Sequence, residues 1–230
     1  MSIKGLLFDF DGTLFFNSDL HARAIGRVFE QDHGLPMPDD HTLITRIFGR
    51  PNPEIYRDMV DPHATEEQMN RFDARKEEEF QALCLEHPDR LHLVEGAVEL
   101  LNYLKKNQIP YAIATCAPRT NVEFYWKHLG LGNWFDESNM VYGDGSFPGK
   151  PAPDIYLMAA EKLGLASEEC AVFEDGASGI EAAVRAGCGA IIALYDKRFD
   201  LPNTSKAQSD SIYHDLTDWR NILAHYGLMR

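Results

Sequence analysis

The strongest constraint on the fold is a series of short, continuous apolar runs set far apart along the chain. They are Gly5 to Phe10, Tyr111 to Thr115, Asn139 to Tyr142, Cys170 to Phe173 and Gly189 to Leu194. Unbroken rather than alternating apolarity marks strands covered on both faces, as in a parallel sheet. Helical patterns lie between them. Ala97 to Asn107 places Val98, Leu101 and Leu104 on one face, and Asn121 to Leu129 ends at Gly130. Pro153 to Leu163 has its proline near the start and Gly164 just past the end, and Ser178 to Ala186 closes at Gly187. This strand–helix alternation predicts an α/β fold with a doubly wound parallel-sheet, Rossmann-like core.

One stretch breaks the alternation. Between Ser18 and Pro88 the pattern predicts only helices: His21 to His33, Asp39 to Phe48, Pro53 to Met59 and Thr65 to Leu85. The last is capped by Thr65 and dense in charge (Glu66, Glu67, Arg71, Asp73, Arg75, Lys76, Glu77, Glu78, Glu79), which reads for most of these residues as a solvated face. The expected organisation is a core of residues 1–17 and 89–230 with an all-helical domain, 18–88, inserted after the first strand.

Composition narrows the partners. The 230 residues carry 36 acidic and 22 basic side chains, a formal net charge of −14. Such a chain repels nucleic acid and anionic membranes, so neither is an expected partner. The opening Met1-Ser2-Ile3-Lys4-Gly5 leads into an apolar run too short and too quickly acidic for a signal peptide, and nothing is long enough to span a bilayer. A cytoplasmic location follows as an expectation. The four cysteines, Cys84, Cys116, Cys170 and Cys188, lack C-x-x-C spacing and are expected as thiols, three of them in apolar or small-residue runs suited to burial.

Four elements carry chemistry. Asp9-Phe10-Asp11-Gly12-Thr13 closes the first apolar run, at the end of a strand where parallel sheets bind ligands. Strand alternation sets Asp9 and Asp11 on one side and turns Phe10 into the core. Two carboxylates so close repel each other unless a cation lies between them. Phe173-Glu174-Asp175-Gly176-Ala177 places a second acidic pair at another strand end, and two such pairs form a hard-oxygen site suited to Mg²⁺. The bland reading of Asp175 is a cap for the helix that follows. Lys150, between Gly149 and Pro151 in the run Gly149-Lys150-Pro151-Ala152-Pro153-Asp154, is a fixed cation ahead of a helix. Thr115 ends the second run with a hydroxyl able to bind a phosphate oxygen. A phosphate dianion could not approach the bare carboxylates, because one like-charge pair at ~4 Å costs about 1 kcal/mol in water and several times that in a protein. The metal and Lys150 are therefore required together.

These four motifs, in this order, resemble the haloacid dehalogenase superfamily of phosphotransferases. The position of the helical insert is similar to that of its β-phosphoglucomutase-like branch. The resemblance implies Asp9 as the nucleophile that forms an aspartyl-phosphate and Asp11 as general acid/base. It implies Thr115, with Cys116 beside it, and Lys150 at the phosphoryl oxygens. Mg²⁺ would be held by the Asp9 carboxylate, the Asp11 main-chain carbonyl and Asp175, with Glu174 acting directly or through water. In the inserted domain, His21 matches a residue that gates the acid/base group, against the plain alternative of a partly exposed helix histidine. Gly49-Arg50 resembles a substrate loop. Asn52 stands where true mutases carry an arginine for the distal phosphate, Lys76 falls close to a second cation position, and Arg119 is a candidate for the missing charge.

The chain departs from the branch pattern at Phe15-Phe16-Asn17, where Val-Asp-Ser is common. Phe15 and Phe16 are expected at the mouth of the site or as hinge residues. Cys116 is expected as a thiol filling a small pocket.

The function implied is a Mg²⁺-dependent phosphatase acting on a small phosphorylated metabolite, a sugar or sugar-alcohol phosphate, with the chain a monomer or weak homodimer. The alternative is a hexose-phosphate mutase, which must hold a phosphate at both ends of a bisphosphate. A dehalogenase would not need Asp11. A phosphonoacetaldehyde hydrolase would need a lysine in the inserted loop, where none lies between Lys4 and Lys76. A receiver domain would place its phosphoacceptor on an internal strand and lack the insert, and a non-catalytic binding protein would not keep the full motif set.

Overall fold

The computed structural model describes residues 2–47, 52–198 and 203–229. The chain divides into two compact units, Met1–Phe16 with His92–Arg230, and Asn17–Leu91. β1 (Gly5–Phe8) opens the first. The helices of the second follow: α1 (Ser18–His33), α2 (Asp40–Thr42), α3 (Asn52–Met59) and α4 (Glu66–Glu86). The first unit resumes with α5 (Ala97–Lys106), β2 (Tyr111–Pro118), α6 (Arg119–Leu129), β3 (Met140–Gly143), α7 (Asp154–Lys162) and β4 (Cys170–Glu174). It ends with α8 (Ala177–Arg185), β5 (Ala190–Leu194), α9 (Asn203–Gln208), β6 (Ser211–Tyr213) and α10 (Trp219–His225).

The six strands form one parallel sheet in the order β3-β2-β1-β4-β5-β6. All residues of β1, β4 and β5 are buried, as continuous apolar runs require. β1 is central. Its Phe8 aligns with Ile113 of β2 on one side and Phe173 of β4 on the other. That register carries Asp9, Thr115 and Glu174 to the same carboxyl edge of the sheet.

α5 corrects one reading. It buries Ala97, Leu100, Leu101 and Leu104, while Val98 is exposed. Two successive i,i+3 steps each fall about 60° short of a turn, so Val98 drifts off the face that Leu104 occupies. β6, α9 and α10 lie beyond the expected elements. β6 is a three-residue edge strand, half-buried at Ser211 and Tyr213 and exposed at Ile212, and makes no apolar run.

In the helical unit, α1, α3 and α4 share a core of Ile25, Val28, Phe29, Ile55, Tyr56, Met69 and Phe72, joined by Ile47 from the turn after α2. Thr65 caps α4. Its side chain accepts from Gln68 N, and the Gln68 side chain accepts from Thr65 N. The expected helix from Asp39 to Phe48 is one α-turn, α2, running into a π-helical turn at Leu43–Ile47, and Phe48 lies outside the described residues. The charge on α4 is not all solvated. Lys76 and Glu77 are buried, because each has an oppositely charged partner in the other. Among the described residues no helix is long and apolar enough to cross a membrane.

Candidate active site

The loop after β1 is tied to its neighbours through the backbone. Asp9 N donates to Phe173 O, and Asp11 bridges to Phe15. Gly12 N donates to Phe15 O, and Thr13 N and Phe15 N both donate to Phe10 O. This turn needs Gly12 twice over. Its φ is +87°, and a Cβ there would stand 2.1 Å from Asp175 Oδ2. Gly12→Ala should therefore cost roughly 1–2 kcal/mol in backbone strain and displace the Asp175 carboxylate as well. Isothermal titration should show divalent-cation affinity falling by more than the stability loss explains. Unchanged affinity would separate Asp175 from the cation site.

Asp9 and Glu174 are buried against one cation. Lys150 Nζ donates to Asp9 Oδ1 at 2.5 Å and to Glu174 Oε1 at 2.6 Å. Burial opposes the ammonium charge, but Asp9 and Glu174 outweigh it and hold Lys150 well above its ordinary pKa. Glu174 is engaged at both oxygens. Tyr156 Oη donates to Oε1 at 3.0 Å and Gly176 N to Oε2 at 2.7 Å. Gly179 gives it room, since a Cβ there would lie 1.6 Å from Glu174 Oε1. Asp175 does not cap α8. The N-cap is Gly176, and Asp175 Oδ1 accepts from Thr13 Oγ1 at 3.1 Å.

Asp9, Glu174 and Asp175 each present a carboxylate oxygen within 4.8 Å of the others. Burial pushes Asp9 up to about 8, with Lys150 opposing and Glu174 and Asp11 adding to the rise. Burial also raises Asp175, followed by the charges of Glu174 and Asp9. Asp9 and Asp175 are thus driven towards their neutral forms, and with Glu174 they make three hard oxygen donors that a divalent cation fits, because it would restore the ionised state of the two aspartates.

Asp11 stands apart from that trio; its Oδ1 accepts from Tyr125 Oη at 2.6 Å. Thr115 is buried and its Oγ1 accepts from Ala117 N at 3.1 Å, at a point where the pairing of β2 with β3 shifts register. Two expectations are corrected here. Cys116 is exposed and fills no pocket; the other cysteines, Cys84 and Cys170, are buried and Cys188 is half-buried. Phe15 is not at a mouth. It is fully buried and packs edge-on against Tyr125 at 5.9 Å and Phe10 at 6.4 Å. Phe10 faces the core as expected.

In the helical unit, three of the expected residues meet in one polar network. Lys76 Nζ lies 2.6 Å from His21 Nδ1 and 2.8 Å from Glu77 Oε1. Asn52 Nδ2 donates to Asp73 at 2.6 Å and Glu77 at 3.1 Å. His21, half-buried on α1, stacks on Phe80 with centroids 3.7 Å apart. Arg50 lies outside the described residues. Arg119 is exposed at the start of α6 and paired to Glu123 on its own helix.

The family model for haloacid dehalogenase-like hydrolases matches residues 3–187, which span β1 through α8 and every element of this site. The chain belongs to the haloacid dehalogenase-like hydrolases. Its relatives within that assignment include the phosphorylated carbohydrates phosphatase of Thermotoga maritima, 34% identical over 189 residues that cover 80% of this chain and 82% of that one. Hexitol phosphatase A of Escherichia coli is 32% identical over 222 residues, covering 94% and 93% of the two chains. The crystal structure of a haloacid dehalogenase-type hydrolase, family IA variant 3, from Entamoeba histolytica superposes with a TM-score of 0.85 at 31% identity, covering 94% of this chain and 95% of that one.

The hydrolase site also uses residues that motif reading passes over. Tyr156, Tyr125 and Gly179 all touch the acidic residues, as does Thr13, which the first motif contains without a role of its own. Both tyrosines sit at buried positions of amphipathic helices, where an aromatic reads as core. Only the hydroxyl, which a core position does not need, distinguishes them from phenylalanine.

Proposed function

We propose that this hydrolase is a Mg²⁺-dependent phosphatase that removes phosphate from a small phosphorylated metabolite, a sugar or sugar-alcohol phosphate, through an aspartyl-phosphate on Asp9. The observation that carries the proposal is the Asp9 carboxylate, buried at the end of the central strand with Lys150 on it and two further carboxylates within reach. An aspartate so placed is a nucleophile shielded from water, beside a cation that can receive phosphoryl oxygens.

In this reading an Asp9 oxygen attacks phosphorus, the bond to the leaving oxygen breaks, and Asp11 gives that oxygen a proton. Water then attacks the phosphorus of the aspartyl-phosphate, Asp11 takes its proton back, and phosphate leaves with the Asp9 carboxylate restored. Lys150 and the Thr115 hydroxyl hold phosphoryl oxygens, and Glu174 fixes Lys150. Asp9, Asp175 and the Asp11 carbonyl, with Glu174 alongside, would hold Mg²⁺, which supplies positive charge against the incoming phosphoryl group. Residues 18–88 are assigned to substrate selection. The names of two relatives, a phosphorylated carbohydrates phosphatase and a hexitol phosphatase, support the substrate class.

The helical network favours a monophosphate over the mutase alternative. Asn52 donates to two carboxylates and Lys76 is already paired with Glu77, so a second phosphate at those residues would meet negative charge. The test is phosphate release from a panel of sugar and sugar-alcohol phosphates, with Mg²⁺ and after chelation. Glucose 1-phosphate is included with and without glucose 1,6-bisphosphate. Release should vanish on chelation and return with Mg²⁺. Isomerisation of glucose 1-phosphate without release selects the mutase, and activity that survives exhaustive chelation removes the metal.

A further inference from the structure

We infer that Tyr125 is a positioning residue for Asp11: its hydroxyl anchors one carboxyl oxygen so that the other presents the proton to the leaving group. The inference rests on the acid/base role of Asp11 proposed above and adds to it the residue that aims the acid.

The geometry is a closed ring of contacts within the sheet unit. Asp11 lies in the loop between Phe10 and Phe15, which Gly12 N and Phe15 N fasten to the carbonyls of Phe15 and Phe10. The Tyr125 ring stacks on Phe10 with centroids 4.7 Å apart at 30°, and meets Phe15 edge-on at 5.9 Å and 81°. Tyr125 is fully buried on α6, and its Oη reaches back to Asp11 Oδ1 at 2.6 Å. Each side of the Asp11 loop is thus packed on the same ring whose hydroxyl holds the carboxyl. A buried tyrosine needs a partner for its hydroxyl, and here the partner is a group that must be aimed.

The hydrogen bond fixes rotation about the Asp11 Cβ–Cγ bond. A short donor on Oδ1 assigns proton transfer to Oδ2 in both directions: to the leaving oxygen as the bond to phosphorus breaks, and from water as the new bond forms. No proton passes to or from Tyr125. Phe15, the departure from the common motif, acquires a purpose, since a smaller side chain would leave one edge of the Tyr125 ring unsupported.

The test compares two substrates that differ in their need for a proton. A sugar alkoxide leaves only when protonated, whereas p-nitrophenolate leaves unaided. kcat/KM reports the steps through transfer to Asp9 when that transfer is irreversible. In Tyr125→Phe, kcat/KM for the fastest sugar phosphate of the panel should fall on the order of 10- to 100-fold, and for p-nitrophenyl phosphate less than about 3-fold. Phe15→Leu, which keeps the hydroxyl and loosens the ring, should move the ratio in the same direction by less. In an Asp11→Asn background, Tyr125→Phe should change the ratio no further. Equal losses for both substrates, a raised sugar-phosphate rate, or a further ratio change without Asp11 overturns the inference while leaving the phosphatase intact. A wild-type chain that releases phosphate from neither substrate removes the acid role itself, and the inference with it. If Tyr125→Phe does not fold, an unchanged ratio in Phe15→Leu overturns it.

Discussion

Asp9→Asn is expected to lower kcat for phosphate release by on the order of 10⁴-fold or more, the usual scale for removing a covalent nucleophile. The substitution is nearly isosteric, so the loss isolates the oxygen that would bond to phosphorus. Lys150 keeps Glu174 as its second partner, and the sheet edge should hold its shape. The chain should melt close to wild type and no longer accept label from a ³²P-labelled sugar phosphate after acid quench. Label retained at wild-type levels, or turnover within tenfold, would remove the aspartyl-phosphate from the mechanism.

Lys150→Ala acts on both stability and rate. Lys150 is the shared counter-charge of two buried carboxylates, each within 2.6 Å of its ammonium. Removing one member of a buried ion cluster commonly costs about 3–5 kcal/mol, because the remaining charges keep their desolvation penalty and lose its compensation. Burial already pushes Asp9 up to about 8 with Lys150 opposing, so its removal drives Asp9 further towards the neutral, non-nucleophilic acid. Urea unfolding should show the loss directly. Mg²⁺ should recover a larger part of it in the variant than in wild type, since the cation would then replace the positive charge that Lys150 supplied to the cluster. A stability loss below about 1 kcal/mol would mean that water reaches the carboxylates and that the site is not sheltered. Activity should fall at least about 10²-fold, as when a preorganised charge is taken from a transition state.

The sheet was legible because burial on both faces leaves short unbroken apolar runs, which their length and flanking turn residues separate from buried helix. Gly5 to Phe10 and Cys170 to Phe173 could not alternate without exposing a face, and β1 and β4 lie there. β6 left no such mark: an edge strand half in water can be Ser-Ile-Tyr. Asp9, Lys150, Glu174 and Asp175 could be associated before their distances were known, because each follows an apolar run or sits in a loop beyond one. The supports of the site were hidden by the same logic. Tyr125, Tyr156 and Phe15 satisfy core rules and serve the site at once, so hydrophobic patterning assigns them completely and stops short of their hydroxyls and edges. In the helical unit, Lys76 was singled out as a candidate cation while Glu77 beside it stayed within a run of solvated charge, because sequence alone does not show that neighbours on a helix have turned inward together.

The central place of β1 has a consequence for how the molecule is made. Its two neighbours are β2 on one flank and β4 on the other, so one flank of β1 stays open until Cys170–Glu174 has been synthesised and docked. The bonds that complete the site span the chain: 114 residues separate Tyr125 from Asp11, 141 separate Lys150 from Asp9, and 162 separate Asp175 from Thr13. Long-range parallel pairing of this kind is slow, and an unpaired apolar strand invites aggregation while it waits. A nascent chain that has not yet delivered β4 holds an aspartate without its acidic partners Glu174 and Asp175, and a Lys150 without the second carboxylate that fixes it. Regain of phosphatase turnover during refolding would then time the closure of the sheet, with no partial activity from an N-terminal fragment to blur the signal.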